Sequence, residues 1–283
     1  MAIDAIFLAP AKLNLFLHIL KRRPDGYHDL QTLFQFINIY DIIRLRIRVD
    51  GQIKRVNDIL GVPESMDLTV RAAIALKEAT GCLFGVEIQV EKHIPMGAGL
   101  GGGSSDAATV LLALNHLWEL KLNRQELIKI GVKLGADVPV FIHGQNAWAE
   151  GIGEILTSIV LPETNYVVLT PNVHVSTAQI FAHPKLTRDT KPLKMSDFSQ
   201  LANSKLFKND LQAVVCDMFP VVASALAWLN QFGHAKMSGS GASVFLATES
   251  EQAAKEIFAK KPEEIHGFIA KGLNLHPHEN LIK

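Results

Sequence analysis

Apolar and polar residues alternate in two segments near the start of the chain. Residues 13–19 read Leu-Asn-Leu-Phe-Leu-His-Ile, and this period of two predicts a strand with one buried face. A Pro-Asp-Gly turn follows at residues 24–26. In residues 43–49 apolar residues alternate with arginines, which predicts a second strand whose arginines face water rather than phosphate.

The next part of the chain changes to a helical period of apolar residues. Asp and Asn residues stand where helices need N-caps, and glycines stand where they need stops. The predicted elements are, in order, a helix over 67–80 with Asp67 as its N-cap and Gly81 as its stop, a strand over 86–90, and helices over 104–118 and 123–134, the last closed by Gly135.

Glycines mark the middle of the chain between residues 144 and 153. Beyond them the pattern predicts a strand at 167–170, several helices, and a late strand flanking residues 238–243. We therefore expect two domains, residues 1–155 and residues 156–283.

Composition excludes several classes of protein. The 283 residues include 28 basic and 28 acidic side chains, so no net field exists to hold nucleic acid or an anionic membrane. Cys82 and Cys216 form no spaced framework of the kind that staples secreted domains. The apolar run over residues 5–20 is interrupted by proline, lysine and asparagine, unlike a signal peptide. A cytoplasmic protein without nucleic-acid or membrane partners is predicted.

The glycine-rich segment carries the most specific signal in the chain. It reads Pro-Met-Gly-Ala-Gly-Leu-Gly-Gly-Gly-Ser-Ser-Asp over residues 95–106. Glycines at this density let successive backbone N–H groups point toward one centre without a Cβ in the way. The helix that follows adds unsatisfied N–H groups and the positive end of its dipole. The segment therefore predicts a phosphate site.

Three other interpretations of this loop are weaker. Gly97, Gly99 and Gly102 satisfy the G-x-G-x-x-G pattern of dinucleotide-binding folds, but a second helix follows where that fold needs a strand with an acidic end. A P-loop would need a lysine where Gly103 stands. A turn without a ligand does not account for five glycines between residues 97 and 103, because each adds unfolded-state entropy.

Residues 95–105 resemble the phosphate-binding motif of the GHMP kinase family, whose members phosphorylate galactose, homoserine, mevalonate and related alcohols. Pro-Ala-Lys-Leu-Asn-Leu at residues 10–15 resembles the first motif of the family, and Lys-Met-Ser-Gly-Ser-Gly-Ala-Ser-Val-Phe at residues 236–245 resembles its third. The three motifs occur in family order across the chain. The chain also resembles a branch of the family that acts on a cytidine diphosphate alcohol. This resemblance lies in residues 23–28, 134–139 and 149–154.

The resemblance implies an α+β fold of two domains with the active site in the cleft between them. The N-terminal half is expected to be like domain 2 of ribosomal protein S5, and the C-terminal half to be ferredoxin-like. The implied activity is an ATP-dependent kinase that uses Mg²⁺ and phosphorylates the 2-hydroxyl of CDP-methylerythritol, in the non-mevalonate route to isoprenoid precursors. This small molecule is the expected partner, and the protein is expected to be a monomer or a weak homodimer.

Two charged residues are candidates for catalysis. Lys12 lies on the polar side of the first predicted strand with Asn14, where most lysines are solvated edge residues. Asp137 stands beside what reads as an apolar strand, where a turn or N-cap role is the ordinary alternative. The resemblance implies that Asp137 is the base for the attacking hydroxyl, and that Lys12 holds both Asp137 and the acceptor oxygen. Whether Asp137 removes the proton or only orients the hydroxyl is open at this point.

The remaining candidates are expected to bind ATP. Lys92 precedes the loop and is a candidate for the positive charge that a P-loop lysine supplies, with an uninvolved rim lysine as the alternative. Ser104 and Ser105 are candidates for contacts to phosphate or Mg²⁺, and for capping the helix. The full ATP-binding set is Lys92, Pro95, Met96, Gly97, Ala98, Gly99, Leu100, Gly101, Gly102, Gly103, Ser104 and Ser105.

The resemblance also implies a substrate-binding set. Tyr27, His28 and Phe34 are candidates for the cytosine ring, because aromatic faces stack on flat pyrimidines, although ordinary packing is the alternative. Asn14 and Thr177 are candidates for the diphosphate and methylerythritol ends. No cluster of histidine or cysteine has metal-ligand spacing, so no protein-bound metal centre is predicted.

Two other kinds of function use the same resemblance. A non-catalytic regulator on this fold is expected to lose Lys12 or Asp137, and both are present. A decarboxylase of a phosphorylated acid or a mevalonate-type kinase is disfavoured by the segment Gly26-Tyr27-His28, which fits a cytidine nucleotide.

Overall fold

The computed structural model describes residues 4–196 and 206–281. Their strands form one extended sheet in which seven lie in the order β3-β4-β2-β10-β7-β9-β8, β1 pairs with β2, and β5 pairs with β2 and β6. The strands are β1 (Ala5–Arg22), β2 (His28–Arg48), β3 (Ile53–Arg55), β4 (Gly85–Glu91), β5 (Ala147–Glu150), β6 (Ile155–Ser158), β7 (Asn165–Thr170), β8 (Lys236–Met237), β9 (Val244–Thr248) and β10 (His266–Leu273).

Helices cover the sheet. The described helices are α1 (Leu68–Thr80), α2 (Gly102–Leu117), α3 (Arg124–Gly131), α4 (Val138–His143), α5 (Thr177–Ala182), α6 (Gln212–Met218), α7 (Pro220–Leu229) and α8 (Glu251–Phe258), with short 3₁₀ turns at Glu64–Met66 and Glu279–Leu281. The limits predicted for α1 are confirmed. Asp67 accepts a hydrogen bond from the N–H of Thr69, and Gly81 ends the helix in the left-handed conformation.

The first two strands are longer and more deeply buried than predicted. β1 and β2 pair antiparallel from Ala5 opposite Leu45 to Arg22 opposite His28. The expectation that β1 buries only one face is wrong, because residues 9–19 are buried on both faces. Helix α2 contacts β1, while residues of the second half of the chain pack with it in other core clusters. Register shifts after residues 10 and 14 redirect the side chains of β1 near its middle.

The core consists of three clusters, and two of them contain residues of both halves of the chain. The first lies among α1, α2, α4 and the early strands, and the second lies among the later helices and β7 to β9. The third joins Phe16 and Trp148 to Val168 and Phe245. Strand β6 pairs with β5, so the sheet of the first half continues past residue 155. The division into residues 1–155 and 156–283 stays a prediction.

The helix predicted over residues 123–134 is shorter than expected. Asn123 and Glu126 form a capping box at its start, but α3 ends at Gly131 rather than before Gly135. A Cβ at Gly131 would lie 2.6 Å from the side chain of Ile142, so the bare backbone lets α4 pack closely there. Helix α4 was not predicted, because six residues are too few to show a helical period.

The arginines of β2 face water, as predicted. Arg44 pairs with Glu91, and Arg46 and Arg48 both pair with Glu87 across the neighbouring strand β4. Exposed pairs of this kind contribute little to stability, so this face serves solubility and pairing rather than phosphate binding.

One buried amide fastens the sheet of the first half to the end of the chain. The side chain of Asn146 is fully buried, and its Oδ1 accepts from the N–H of Phe36 at 2.9 Å. Its Nδ2 donates to the carbonyl of Leu273 at 2.7 Å and to Oδ1 of Asn274 at 3.1 Å. A single side chain therefore satisfies buried groups on β2 and at the end of β10.

Replacing Asn146 by alanine is expected to lower the free energy of unfolding by at least about 2 kcal/mol, because the buried N–H of Phe36 and the partly buried carbonyl of Leu273 both lose their partner. Urea denaturation measures this change. Asn280→Ala, at an exposed site, is the control and should stay within about 0.5 kcal/mol of the parent. Equal losses in the two variants would show that Asn146 has no special role.

Candidate active site

The glycine loop, residues 95–103, enters α2 through an irregular backbone. Gly97, Gly99 and Gly101 have φ of 65°, 75° and 75°, a region that side-chain-bearing residues rarely adopt. A Cβ at Gly99 would lie 2.2 Å from the carbonyl oxygen of Ser238. A Cβ at Gly101 would lie 3.0 Å from the side chain of Lys12. Conformation and close approach therefore both require glycine here.

The N-terminus of α2 is open. The helix begins at Gly102 with Gly101 as its N-cap, and no side chain caps it. Backbone N–H groups of the first turn are therefore available to an anion. The expectation that Ser104 and Ser105 cap the helix is wrong, because the helix starts before them and they lie inside its first turn. Ser105 is fully buried and its hydroxyl has no partner among the described residues, whereas Ser104 borders a cleft.

Lys12 is a buried cation beside this loop. Its side chain is 2% exposed, which excludes the solvated-edge alternative. Its ammonium donates to Oδ1 of Asn14 at 2.6 Å and to the carbonyl of Gly99 at 3.2 Å. Oδ2 of Asp137 lies 3.2 Å from the same nitrogen. The backbone N–H of Lys12 also donates to the carbonyl of Leu100 at 3.0 Å, so β1 and the glycine loop are directly joined.

Asp137 faces this ammonium from the start of α4. It occupies the N-cap position, but its side chain makes no capping hydrogen bond, which leaves the carboxylate for Lys12. The expectation of an adjoining apolar strand is wrong, since Val138 and Pro139 open a helix. The carboxylate is 34% exposed, so it reaches solvent, and a ligand, on the side away from Lys12.

A hydrogen-bonded chain joins β1, the glycine loop and the late loop at residues 238–243. The N–H of Asn14 donates to Oγ of Ser238 at 3.1 Å, and that hydroxyl donates to the carbonyl of Gly99 at 2.9 Å. Nδ2 of Asn14 donates to Oγ1 of Thr32 at 2.9 Å. The late loop therefore packs directly against the glycine loop and β1.

Two cavities lie on either side of the glycine loop, and Gly97 and Gly101 to Gly103 border both. The first, of about 280 Å³, has mostly apolar walls. It is lined by Ile59, Val62, Met66, Leu68, Ile94, Pro95 and Met96. The second, of about 430 Å³, contains Lys12, Asn14 and Asp137. We refer to them as the apolar cavity and the Lys12 cleft.

Lys92 borders the apolar cavity, but its ammonium is already paired with the acidic side chains of Asp41 and Asp106. Its ammonium pairs with Asp41 and, at 2.7 Å, with Asp106. Burial alone would lower the pKa of Lys92, but the two acids outweigh it and raise that pKa. Burial raises the pKa of Asp106 to about 8. Asp41 also accepts from the N–H groups of His93 and Ile94, so this group fixes the chain where it enters the glycine loop.

The predicted substrate residues divide into two groups. Asn14, Phe34 and Thr177 line the Lys12 cleft. The ring centroid of Phe34 lies 5.4 Å from the Lys12 ammonium, and Thr177 exchanges a hydrogen bond of 2.7 Å with Ser240. Tyr27 and His28 do not line the cleft.

Tyr27 is 60% exposed, whereas His28 is buried against the ring of Phe181 at 5.2 Å between centroids. Burial lowers the pKa of His28, and the guanidinium of Arg188 acts in the same direction. A neutral ring accepts the hydrogen bond from Nε of Arg188 at 3.2 Å. His28 therefore contacts Phe181, which lines the cleft, but does not itself border the cleft.

Some residues that line or support the Lys12 cleft were not predicted from the sequence. Thr32 and Phe181 line the Lys12 cleft, and Arg188 holds His28. Thr32 lies opposite Leu17 in the β1–β2 register, and only that register could have revealed it. Phe181 and Arg188 lie in a part of the chain whose apolar pattern is weak.

Among the described residues, no group of three or more His, Cys, Asp or Glu is arranged to hold a metal. The helices described here include none with the length and apolarity needed to cross a membrane.

Comparison with known proteins identifies relatives over almost the whole chain. The sequence model of the GHMP kinases N terminal domain matches residues 67–145, and that of the GHMP kinases C terminal matches residues 193–264. The 4-diphosphocytidyl-2-C-methyl-D-erythritol kinase of Burkholderia ambifaria (strain MC40-6) is 53% identical over 276 residues, 95% of this chain and 94% of that protein. The kinase of the same name from Herminiimonas arsenicoxydans is 52% identical over 272 residues, 95% of each chain.

Solved structures agree. A crystal structure of 4-(cytidine 5'-diphospho)-2C-methyl-D-erythritol kinase matches with a TM-score of 0.77 and 33% identity, covering 95% of this chain and all of that one. A crystal structure of mevalonate kinase matches with a TM-score of 0.69 at 16% identity, over 95% of this chain and 99% of that one, which shows the shared fold alone. The predicted α+β fold class is thereby confirmed.

Replacing Gly99 by alanine is expected to weaken ATP binding at least about tenfold and to lower the melting temperature, because the new Cβ would meet the Ser238 carbonyl at 2.2 Å. Calorimetric titration and thermal unfolding measure the two effects. Gly81→Ala is the matched control, since Gly81 has φ of 69° and no atom within 4 Å of the new Cβ. It carries the same left-handed strain of about 1 kcal/mol without the clash. Wild-type ATP affinity in Gly99→Ala would contradict the expectation.

Proposed function

The chain belongs to the GHMP kinase family, and on this premise we propose that it phosphorylates the 2-hydroxyl of 4-diphosphocytidyl-2-C-methyl-D-erythritol with ATP. The product would be the 2-phosphate, an intermediate of the non-mevalonate route to isoprenoid precursors. Relatives with this enzyme name are 52 to 54% identical over 95% of the chain, which supports both the reaction and the substrate. The observation in the structure that carries the proposal is the buried Lys12 ammonium, which contacts both the glycine loop and the Asp137 carboxylate.

The apolar cavity is the proposed site of the nucleotide base. Its apolar walls suit a flat ring, and it opens along the glycine loop to the start of α2. In the proposal, loop N–H groups and the uncapped first turn of α2 hold the phosphates. Lys92 borders this cavity, and we propose that with its two carboxylates it fixes the loop entrance and adds little net charge for phosphate.

The donor groups at the loop fit a magnesium ion. In phosphoryl-transfer sites Mg²⁺ is held by one or two protein oxygens, together with phosphate oxygens and water, so no cluster of acids is needed. Ser104 borders the Lys12 cleft and is the residue we propose to hold it, whereas the hydroxyl of Ser105 is buried. When bound, the ion neutralises charge on the transferred phosphoryl group.

The Lys12 cleft is the proposed acceptor site. Asp137 is exposed on the cleft side, where it accepts a hydrogen bond from the attacking hydroxyl and orients it. Lys12 fixes the carboxylate and stabilises negative charge as it develops on the acceptor oxygen. Because phosphoryl transfer passes through a loose transition state, placing the hydroxyl in line accounts for much of the rate enhancement.

The cytidine end is proposed to lie along the same cleft. Asn14 and Thr177 border it with polar groups, and Phe34 contributes an aromatic surface next to Lys12. We propose that His28 supports this surface by packing against Phe181. Tyr27 lies outside the cleft, so its exposed ring would have to move toward a bound pyrimidine to stack on it. We further propose a cytoplasmic enzyme that is a monomer or a weak homodimer. The balanced charge of the chain supports the proposal that it binds neither nucleic acid nor membranes.

Asp137→Asn is expected to lower turnover by about a hundredfold or more while ATP binding stays nearly intact, because asparagine keeps the shape but lacks the negative charge that attracts the hydroxyl proton and pairs with Lys12. Steady-state rates and calorimetric ATP titration separate the two effects. Asp217→Asn, at an exposed ion pair remote from the cleft, is the control and should have the parent rate. Unchanged turnover in Asp137→Asn would remove this residue from the mechanism.

A panel of alcohols tests the substrate. ATP consumption is expected with 4-diphosphocytidyl-2-C-methyl-D-erythritol and not with mevalonate, homoserine or free sugars. Phosphorus NMR of the product should show a new phosphomonoester beside the intact diphosphate. Preference for an alcohol without the cytidine diphosphate would refute the proposed substrate and leave the kinase chemistry standing.

A further inference from the structure

A small cavity lies on a part of the protein that neither the apolar cavity nor the Lys12 cleft reaches. Its volume is about 150 Å³, and it shares no bordering residue with those two. It is formed by the ends of β7, β8 and β9 together with the segment at residues 161–164. The bordering residues are Leu15, Gln35, Leu161, Pro162, Thr164, Tyr166, His234, Lys236, Phe245 and Ala247.

Lys236 places a half-buried ammonium in this cavity. Its one partner among the described residues is the carbonyl of Leu15, at 3.2 Å, and none of those residues pairs a carboxylate with it. Burial lowers the pKa of Lys236 to about 8. A half-buried cation without a counter-charge is destabilising, and two of its three N–H groups remain available.

The neighbouring polar side chains are already engaged with one another. The hydroxyl of Tyr166 donates to Oε1 of Gln35, and Nε2 of Gln35 donates to the carbonyl of Pro162 at 2.9 Å. The hydroxyl of Thr164 is directed to the same carbonyl at 3.5 Å. Among the described contacts of this cavity, the Lys236 ammonium therefore has unused hydrogen-bonding capacity and a charge that no carboxylate balances.

We propose that this cavity binds a small carboxylate whose charged end pairs with Lys236 and whose short apolar part contacts Leu15, Leu161 and Phe245. A single cation among apolar walls suits a monoanion with an apolar substituent. A phosphate dianion would bring a second charge without a second cation to meet it. The cavity volume admits a short-chain acid and excludes a nucleotide.

Two residues that border this cavity, Lys236 and Leu15, lie close in sequence to residues of the contact between the late loop and β1. Lys236 is followed by Met237 and Ser238, and Leu15 follows Asn14 in β1. The hydrogen bond from the N–H of Asn14 to Ser238 lies between these two strands. A ligand on Lys236 thus lies behind the contact that holds the late loop against the glycine loop.

Nuclear magnetic resonance of protein labelled with ¹³C at lysine Cε tests the proposal with sodium acetate as the probe. The resonance that Lys236→Met removes is expected to titrate with a midpoint of about 8. Acetate should raise this midpoint by about 0.5 or more relative to sodium chloride at equal ionic strength, because a bound carboxylate favours the charged amine. Phosphate should raise it less. Acetate affinity should fall about tenfold per pH unit above the midpoint of the free protein.

Other titrating groups are separated by variants. Tyr166 and His234 also border the cavity, and burial raises the pKa of Tyr166. Glu163, within the segment at residues 161–164, pairs with Lys271 at 2.7 Å. His234→Gln should leave the acetate effect in place. Loss of the effect in that variant, with Lys236 intact, would overturn the proposal.

Thermal unfolding provides an independent readout that does not require the lysine resonance. Lys236→Met should raise the melting temperature in chloride, because it removes a half-buried unpaired charge, and should abolish the further rise that acetate gives the parent. Lys185→Met, at an exposed lysine, should retain the response to acetate. An equal response to acetate in Lys236→Met and the parent, or a midpoint that acetate does not move, would sink the proposal.

Discussion

The burial of the Lys12 ammonium is the constraint on which the rest of the site depends. A cation that is 2% exposed is tolerated only if its hydrogen bonds and its charge are met by fixed partners. Those partners come from β1 itself, from the glycine loop and from the start of α4, through Asn14, Gly99 and Asp137. The electrostatic demand of one nitrogen therefore sets the relative positions of the glycine loop and the Asp137 carboxylate.

The glycine loop answers the same constraint sterically. Its left-handed glycines bring the backbone so near to Ser238 and Lys12 that a side chain cannot be accommodated. Where the chain enters the loop, Asp41 accepts hydrogen bonds from two backbone N–H groups. Asp41 and Asp106 both pair with Lys92 there. The loop is thus fixed on both sides before any ligand arrives, which is the preorganisation that electrostatic catalysis requires.

Local patterns made part of this structure predictable. The caps of α1, the strand period of β1 and the density of glycines act over a few residues, so the sequence reveals them directly. Helix α4 escaped because it is short and apolar, and with it the true setting of Asp137. The partners of Lys92 lie 51 and 14 residues away in the chain, so its neutralised state depends on tertiary contacts that no local pattern encodes.

The deep burial of β1 has a consequence for the nascent chain. Strand β1 is synthesised before the other described strands and packs part of its length against elements of the first half, but Leu17 and Ile19 belong to a cluster completed by Val214, Val244 and their neighbours. The N–H of Ile19 bonds the carboxylate of Asp210. Strand β1 therefore keeps part of its apolar surface uncovered until most of this chain has been synthesised, because its final contacts lie far along the sequence.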